Sequence, residues 1–290
     1  MRIADCGLRN SKIWICIALA FACVPLISYA ETAVQPEIVT EPATPGPGDI
    51  MVVTVMNAKG PVTGMFNGKN IYFNPAGEAS KAIVAIDYFT EPAQYDLDVL
   101  ANGIVLKKTV EVVKKEYEVQ RLTLPKDMVE LSPENEARVA REQKRMSAIW
   151  PHENDRSWTG DFINPLEGEI ITPFGVRRII NNVPKSPHTG IDVAGEKGDK
   201  ILAPNSGVVA LVDKQFFSGT SVVLDHGQGI FTMFFHLSKV LVKQGQTVRK
   251  GDVIALVGST GRATGPHLHW GVRIQGARVD PLELVHLKLE

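Results

Sequence analysis

The sequence predicts a mainly β protein, with two β domains joined by a helical linker. Short alternating or β-branched apolar runs recur at close spacing on both sides of the middle of the chain. Between them stands one segment with helical start and stop signals. A length of 290 residues is a soft prior for about two domains.

The first thirty residues are read apart from the fold. Arg2, Arg9 and Lys12 flank the start of an apolar run, Ile13–Ile27, and Ser28-Tyr29-Ala30 places small residues at −3 and −1 of a cut after Ala30. This is the pattern of a secretory signal peptide over residues 1–30. The run is short for a bilayer span of roughly 20 residues, which disfavours an uncleaved anchor. Cys6, Cys16 and Cys23, the three cysteines, all lie in this segment. The remaining chain is therefore expected to enter an oxidising compartment without disulfides, and thiol catalysis and thiolate metal ligands are excluded. Without Arg2, Arg9, Lys12 and Asp5 the remainder holds 28 basic and 31 acidic residues, a charge of −3. With no Lys/Arg block, that balance argues against nucleic acid as a partner and against a membrane surface once the signal is removed.

Residues 31–48, rich in Pro and Thr, read as an extended leader. From 49 to 120, the runs Ile50–Met56, Ile71–Phe73, Lys81–Tyr88, Tyr95–Leu100 and Ile104–Val113 predict a small β-sandwich, immunoglobulin-like in architecture. Asn102-Gly103 between the last two is a type I′ hairpin signal. No catalytic constellation falls in this domain, and a spacer or binding role is expected of it.

Residues 121–161 read as a linker that carries a helix over 133–150. Ser132 is placed as N-cap and Pro133 at N1, with Glu134 and Glu136 in the first turn, Lys144 and Arg145 near the end and Pro151 as the stop. Val139, Met146, Ile149 and Trp150 lie along one side, ready to dock on a neighbour. Arg138, Arg141 and Lys144 are expected to face solvent.

From 162 to 290 the strands return, denser and more apolar: Glu169–Thr172, Thr189–Val193, Gly207–Val212, Ser221–Asp225, Phe231–Phe235, Val253–Val257 and Leu268–Ile274. Gly198-Asp199-Lys200-Ile201 leading to Gly207-Val208-Val209 is echoed by Gly245-Gln246-Thr247-Val248 leading to Gly251-Asp252-Val253-Ile254. Such an echo suggests a sheet built by duplication and folded over on itself.

The chemistry is concentrated here. In His267-Leu268-His269, residues two apart on a strand share a face, so both imidazoles project together while Leu268 enters the core. His188-x-Gly190-x-Asp192 reads as strand as well, and four residues along a strand return an imidazole and a carboxylate to one face. His236 follows the apolar strand Phe231–Phe235. Each piece alone is a common, bland pattern. Four histidines and an aspartate on the strands of one domain are different, because burying them without partners is costly and a metal accounts for them together. His188, Asp192 and one of His267/His269 would supply three ligands and leave one position open, as catalytic zinc sites do.

Phe174-Gly175-x-Arg177, His188-x-Gly190-x-Asp192, Ala203-Pro204-x-x-Gly207-x-Val209, His226-Gly227, His236-Leu237-Ser238, Gly245-x-x-Val248-x-x-Gly251 and the run from Gly258 to His269 occur in order. Together they resemble the lysostaphin-type, LytM-like zinc peptidoglycan endopeptidases over about Pro165–Leu284. The resemblance implies a C-terminal antiparallel β-sheet peptidase domain of the duplicated-hybrid-motif type. It also implies that His188, Asp192 and His269 bind Zn²⁺ and that His236 and His267 are the two unligated catalytic histidines. The implied substrate is the peptide stems and cross-links of bacterial peptidoglycan, and the implied location is the periplasm or cell envelope. Two positions depart from the family pattern: Phe234 stands where Tyr is frequent, and Ser218-Gly219-Thr220 where Asn is frequent. The first is expected to remove a hydroxyl donor. His226 is expected to be structural.

The alternative is a catalytically silent scaffold that binds the wall or activates other hydrolases, and retention of all five site positions disfavours it. A lipoyl- or biotin-carrier reading of Gly245–Val257 fails for want of a lysine at the hairpin tip. The N-terminal domain is expected either to position the enzyme on the wall or to cover the cleft and keep it latent.

Overall fold

In a computed structural model, which describes residues 34–123 and 130–288, eight strands form the N-terminal part. They are β1 (Glu37–Glu41), β2 (Ile50–Met56), β3 (Thr63–Phe66), β4 (Lys69–Ile71), β5 (Phe73–Ala76), β6 (Ala79–Ala85), β7 (Ala93–Ala101) and β8 (Ile104–Val112). The expected signal segment, 1–30, lies outside the described residues. Alternation along β2 sends Met51, Val53 and Val55 inward, and β7 does the same with Leu97, Val99 and Ala101. Sheets β1-β2-β6-β5 and β4-β3-β7-β8 bury these residues against one another. Asn102 and Gly103 turn β7 into β8 with φ of +53° and +75°, the left-handed pair that a type I′ turn requires. One expectation is corrected. The leader 31–48 supplies strand β1, paired antiparallel with β2 from Glu37↔Met56 to Glu41↔Val52, because the edge of β2 offers unpaired backbone groups.

Strand β9 (Val119–Leu122) leaves this part and pairs in parallel with β11 (Arg177–Ile180), from Val119↔Arg177 to Leu122↔Ile180. Helix α1 (Pro133–Ser147) starts as expected, with the Ser132 hydroxyl accepting from Asn135 N at 3.3 Å. It ends three residues earlier than expected. Ile149 and Trp150 turn inward instead, and Trp150 meets Phe231 edge-on at 5.5 Å.

The remaining strands are β10 (Ile170–Thr172), β12 (Val183–Pro184), β13 (Ile191–Ala194), β14 (Lys200–Leu202), β15 (Gly207–Gln215), β16 (Gly219–Asp225), β17 (Ile230–Leu237), β18 (Lys239–Val240), β19 (Thr247–Val248), β20 (Val253–Leu256), β21 (His267–Ile274) and β22 (Ala277–Val279), followed by helix α2 (Pro281–His286). The main sheet runs β10-β13-β21-β17-β16-β15-β19, with β22 beside β21. The echoed segments exchange partners: β14 of the first pairs with β20 of the second, and β19 of the second pairs with β15 of the first. Leu268, Trp270 and Val272 of β21 face the core made with the β14-β20-β18 sheet. The opposite face carries Phe231 and Met233, covered at one end by Met146, Ile149 and Trp150 and continued at the other by Phe235 and His269. The end of helix α1 and the residues just after it thus cover the Phe231–Met233 end of this face.

The described residues from 35 onward form one compact unit. Ile50 of β2 joins the large C-terminal core, and Asn74 and Gln228 exchange amide hydrogen bonds of 3.1 and 3.0 Å. The N-terminal strands are therefore built onto the C-terminal ones.

His226 is buried, with Nδ1 2.8 Å from Ser206 O and Nε2 2.8 Å from Thr232 Oγ1. Burial pushes its pKa down to about 4, against the opposing pull of the Ser206 carbonyl and Asp225. A lowered folded-state pKa contributes stability that is present above the unfolded value near 6.5 and is lost as pH falls toward the folded value. The shift corresponds to roughly 3 kcal/mol. Thermal or urea melts from pH 7 to 4 should show wild type losing about that much more stability than His226→Gln. Parallel losses in the two proteins would contradict this role.

Candidate metal centre

Strand register brings two of the ligand candidates side by side: His269 of β21 lies opposite Asp192 of β13, and His267 opposite Ala194. His188 precedes β13 in a loop rather than on the strand, and its position is set by three hydrogen bonds. Its N donates to Val176 O, its carbonyl accepts from Gly175 N, and its Nδ1–H donates to Pro173 O at 3.0 Å. Gly190 is required between them, because a Cβ there would stand 2.5 Å from Trp270 O and 2.7 Å from His269 Nε2.

The outcome is a triangle of donor atoms. His188 Nε2 lies 2.9 Å from Asp192 Oδ1 and 2.9 Å from His269 Nδ1, and His269 Nδ1 lies 2.8 Å from Asp192 Oδ1. His188 and Asp192 are buried, at 6% and 8% exposure. With Nδ1–H spent on Pro173, a neutral His188 points a lone pair at a carboxylate oxygen. Lone pairs converging at this range repel unless a cation lies among them, and two imidazoles with one carboxylate are a borderline-soft donor set that suits zinc. The residues present therefore fit the metal. Burial alone would raise the Asp192 pKa, but where a ring proton of His188 or His269 points at the carboxylate its hydrogen bond and positive charge outweigh burial and hold the carboxyl well below the usual range; a cation among the three donors takes the same place. Burial likewise pushes His269 down to about 4, so its ring is neutral at physiological pH and free to donate a lone pair.

His236 and His267 stand next to this triangle, their rings 4.8 Å apart. Register along the β16–β17 pair shifts between Thr220 and Val222, so β17 bulges just before Leu237. The bulge holds His236 at φ +63°, a conformation that L residues other than glycine rarely adopt. Hydrogen bonds from His236 N to Ser218 O and from Thr260 N to His236 O keep it there. His236 Nδ1–H donates to Thr260 O at 2.8 Å and His267 Nδ1–H donates to Gly265 O at 2.9 Å, so both rings keep an Nε2 lone pair. His267 Nε2 is 3.8 Å from Asp192 Oδ1. Burial lowers the His236 pKa, with His267 adding to the effect and Thr260 opposing it.

All five expected residues converge. Phe234 is corrected: at 0% exposure it packs in the core opposite Val222 and Trp270, so a hydroxyl there would not reach the cleft. Sequence reasoning missed Glu142, the buried residue of α1, which accepts from Phe216 N at 2.8 Å and from Arg138 Nε at 2.7 Å. It ties the helix to the loop that carries Ser218. Arg138, expected in solvent, also donates to Lys214 O and lies 5.6 Å from the Phe216 ring. A lone acid on an otherwise charged helix face carries no local signal for such a contact.

Residues 186–281 match the model of Peptidase family M23. Over 97 residues the chain is 48% identical to an uncharacterized metalloprotease of Haemophilus influenzae, covering 33% of this chain and 20% of that protein. Over 98 residues it is 41% identical to peptidoglycan DD-endopeptidase ShyA of Vibrio cholerae, covering 34% of this chain and 23% of that one. The chain thus spans about a fifth to a quarter of the length of these curated relatives. A crystal structure of an M23-type protein from Pseudomonas aeruginosa aligns with a TM-score of 0.68 and 34% identity, over 83% of this chain and 95% of that one. That coverage takes in N-terminal strands as well as the metal-site domain, and on it the chain belongs to peptidase family M23.

Proposed function

We propose that the chain is an exported zinc-dependent endopeptidase that hydrolyses peptide cross-links of bacterial peptidoglycan in the periplasm or cell envelope. The supporting observation is the convergence of the His188, Asp192 and His269 donor atoms within 4.8 Å, beside two imidazoles that keep free Nε2 lone pairs. In this reading His188, Asp192 and His269 hold Zn²⁺. The metal supplies a Lewis acid for the scissile carbonyl and acidifies a water.

The chain's own residues do the rest. His267 Nε2, beside the donor triangle, accepts the proton of the attacking water as general base. The imidazolium so formed donates a hydrogen bond to the developing oxyanion or delivers its proton to the leaving amine. His236, kept neutral by burial and fixed by Thr260, presents its Nε2 to the same space. The Gly265 and Thr260 carbonyls hold both tautomers, so neither ring must reorganise during the reaction. Family membership, relatives named as peptidoglycan endopeptidases and the signal-like N-terminus support the substrate and the export. Among the described residues no helix is long and apolar enough to cross a membrane.

The test is release of soluble peptides from purified, chemically defined sacculi by the zinc-loaded chain. Release should stop with a chelator and return with zinc, and product masses identify the bond. One bound zinc per chain with no release would replace this reading with a wall-binding scaffold.

A further inference from the structure

The turn between β15 and β16 consists of Phe216, Phe217 and Ser218, closed by the pair Gln215↔Gly219. A turn this short leaves backbone groups unpaired within its hairpin, and each of its residues spends one elsewhere. Ser218 O accepts from His236 N at 2.8 Å, and Phe217 O accepts from Arg262 N at 2.8 Å. Phe216 N donates to the Glu142 carboxylate of helix α1 at 2.8 Å. One turn thus joins the linker helix, the loop after Thr260 and a histidine of the candidate site.

His236 depends on this turn more than an ordinary strand residue would. Its φ of +63° lies in the left-handed region, which a residue other than glycine keeps only where its surroundings over-determine it. Two supports do so. Ser218 O takes the backbone N–H, while Thr260 accepts the Nδ1–H on its carbonyl at 2.8 Å and donates its own N–H to His236 O at 3.3 Å. Thr260 in turn leans on the hairpin. Its Oγ1 accepts from Thr220 N at 2.9 Å, and Gly219 approaches so closely that a Cβ there would stand 2.4 Å from Thr260 O. Displacing residues 216–220 therefore disturbs both supports of His236 together.

Glu142 is the point at which helix α1 fixes the turn. It is the buried residue of the helix, at 7% exposure, and a carboxylate held there is costly unless it is paired. An apolar side chain would pack the same space at less cost. Its Oε2 accepts from Phe216 N and its Oε1 from Arg138 Nε at 2.7 Å, while Arg138 also donates to Lys214 O at 3.3 Å. The acid and its partner thus grip the chain on both sides of Gln215. Residue 142 lies outside the stretch 186–281 that matches the family model, so this anchor is supplied by the linker.

We propose that Glu142 is a positioning residue for His236: through the 216–218 turn it holds the imidazole where its Nε2 faces the reacting space. This rests on the endopeptidase reading and deepens it, making the linker helix a working part of the site rather than a spacer. Misplacing a reacting group by about 1 Å costs on the order of 10²-fold in rate.

The experiment compares the full zinc-loaded chain with Glu142→Met, Glu142→Gln and Met146→Ala on a soluble cross-linked peptide. Methionine fills the space without a carboxylate, and glutamine keeps an oxygen for Phe216 N. Met146→Ala weakens the docking of α1 on Phe231 and Met233 and leaves the anchor in place. Glu142→Met should lower kcat roughly 10- to 100-fold with KM and metal content close to wild type. Its Phe216 and His236 amides should also exchange with solvent faster, measured by NMR. Glu142→Gln should keep most of the rate, and Met146→Ala should lower the melting temperature while keeping kcat. An unchanged kcat in Glu142→Met, or an equal fall in Glu142→Gln or Met146→Ala, overturns the positioning role and leaves the endopeptidase intact. If wild type cuts nothing, the endopeptidase reading fails and amide exchange decides the anchor. Faster exchange at His236 in Glu142→Met but not in Met146→Ala upholds it, and unchanged exchange overturns it. Glu142→Ala repeats the comparison should Glu142→Met fail to fold.

Discussion

His267→Ala is expected to keep its metal and lose the proposed hydrolysis by roughly 10²- to 10⁴-fold, the range that one positioned general acid–base contributes. The side chain does not complete the donor triangle, whose members are His188, Asp192 and His269. Its Nδ1–H is spent on Gly265, and its Nε2 faces the reacting space. Metal content by elemental analysis should therefore match wild type while kcat falls. Asp192→Ala should behave differently. It removes the charged member of the triangle, so metal content itself should drop. A His267→Ala enzyme that hydrolyses sacculi at the wild-type rate would remove this residue from the mechanism.

A chain that begins at Phe162 is expected to be slower and less stable than the full chain, with stability lost on the order of 5 kcal/mol. Three supports would go. Tyr117 packs on Phe174 at 6.0 Å and so closely on Gly175 that a Cβ there would lie 2.0 Å from its ring, and Tyr88 Oη donates to Gly175 O at 3.2 Å. Gly175 N in turn holds the His188 carbonyl. Strand β9 pairs with β11, which carries Arg178, and α1 covers Phe231 and Met233 and anchors Phe216 through Glu142. The segments that position His188 and His236 thus lean on residues before 162. Melting temperature and sacculus hydrolysis, measured on both chains, decide the matter. A shortened chain that works faster would reveal latency and reverse this expectation. Tyr117→Ala in the full chain supplies the same test if the shortened chain is insoluble, and should lower both stability and rate.

That result bears on the two roles expected of the N-terminal domain. Among the described residues no side chain before 162 reaches the donor triangle. The N-terminal part instead touches, among others, Phe174, Gly175, Gln228 and Arg278, none of them a member of the triangle.

Much of this was legible locally. The period of two in His267-Leu268-His269 put both imidazoles on one face, since successive strand residues alternate whatever the partner strand is. Asn102-Gly103 and Ser132-Pro133 marked a turn and a helix start through conformational preferences that belong to a few residues. The donor set at His188, Asp192 and His269 followed from residue type and from resemblance to a family.

Tertiary structure alone decided the remainder. Nothing local marks residues 37–41 as a strand, because their pairing is provided by the open edge of β2. The parallel match of β9 to β11 spans almost sixty residues, and a pairing at that separation is chosen by packing rather than propensity. His236 needed a bulge to turn from its strand into the cleft, and Glu142 needed the Phe216 amide to become an anchor. Sequence determined which groups this protein has and which way each strand presents them. The folded chain decided which of them meet, because backbone preference is local while burial and hydrogen-bond pairing are satisfied over the whole molecule.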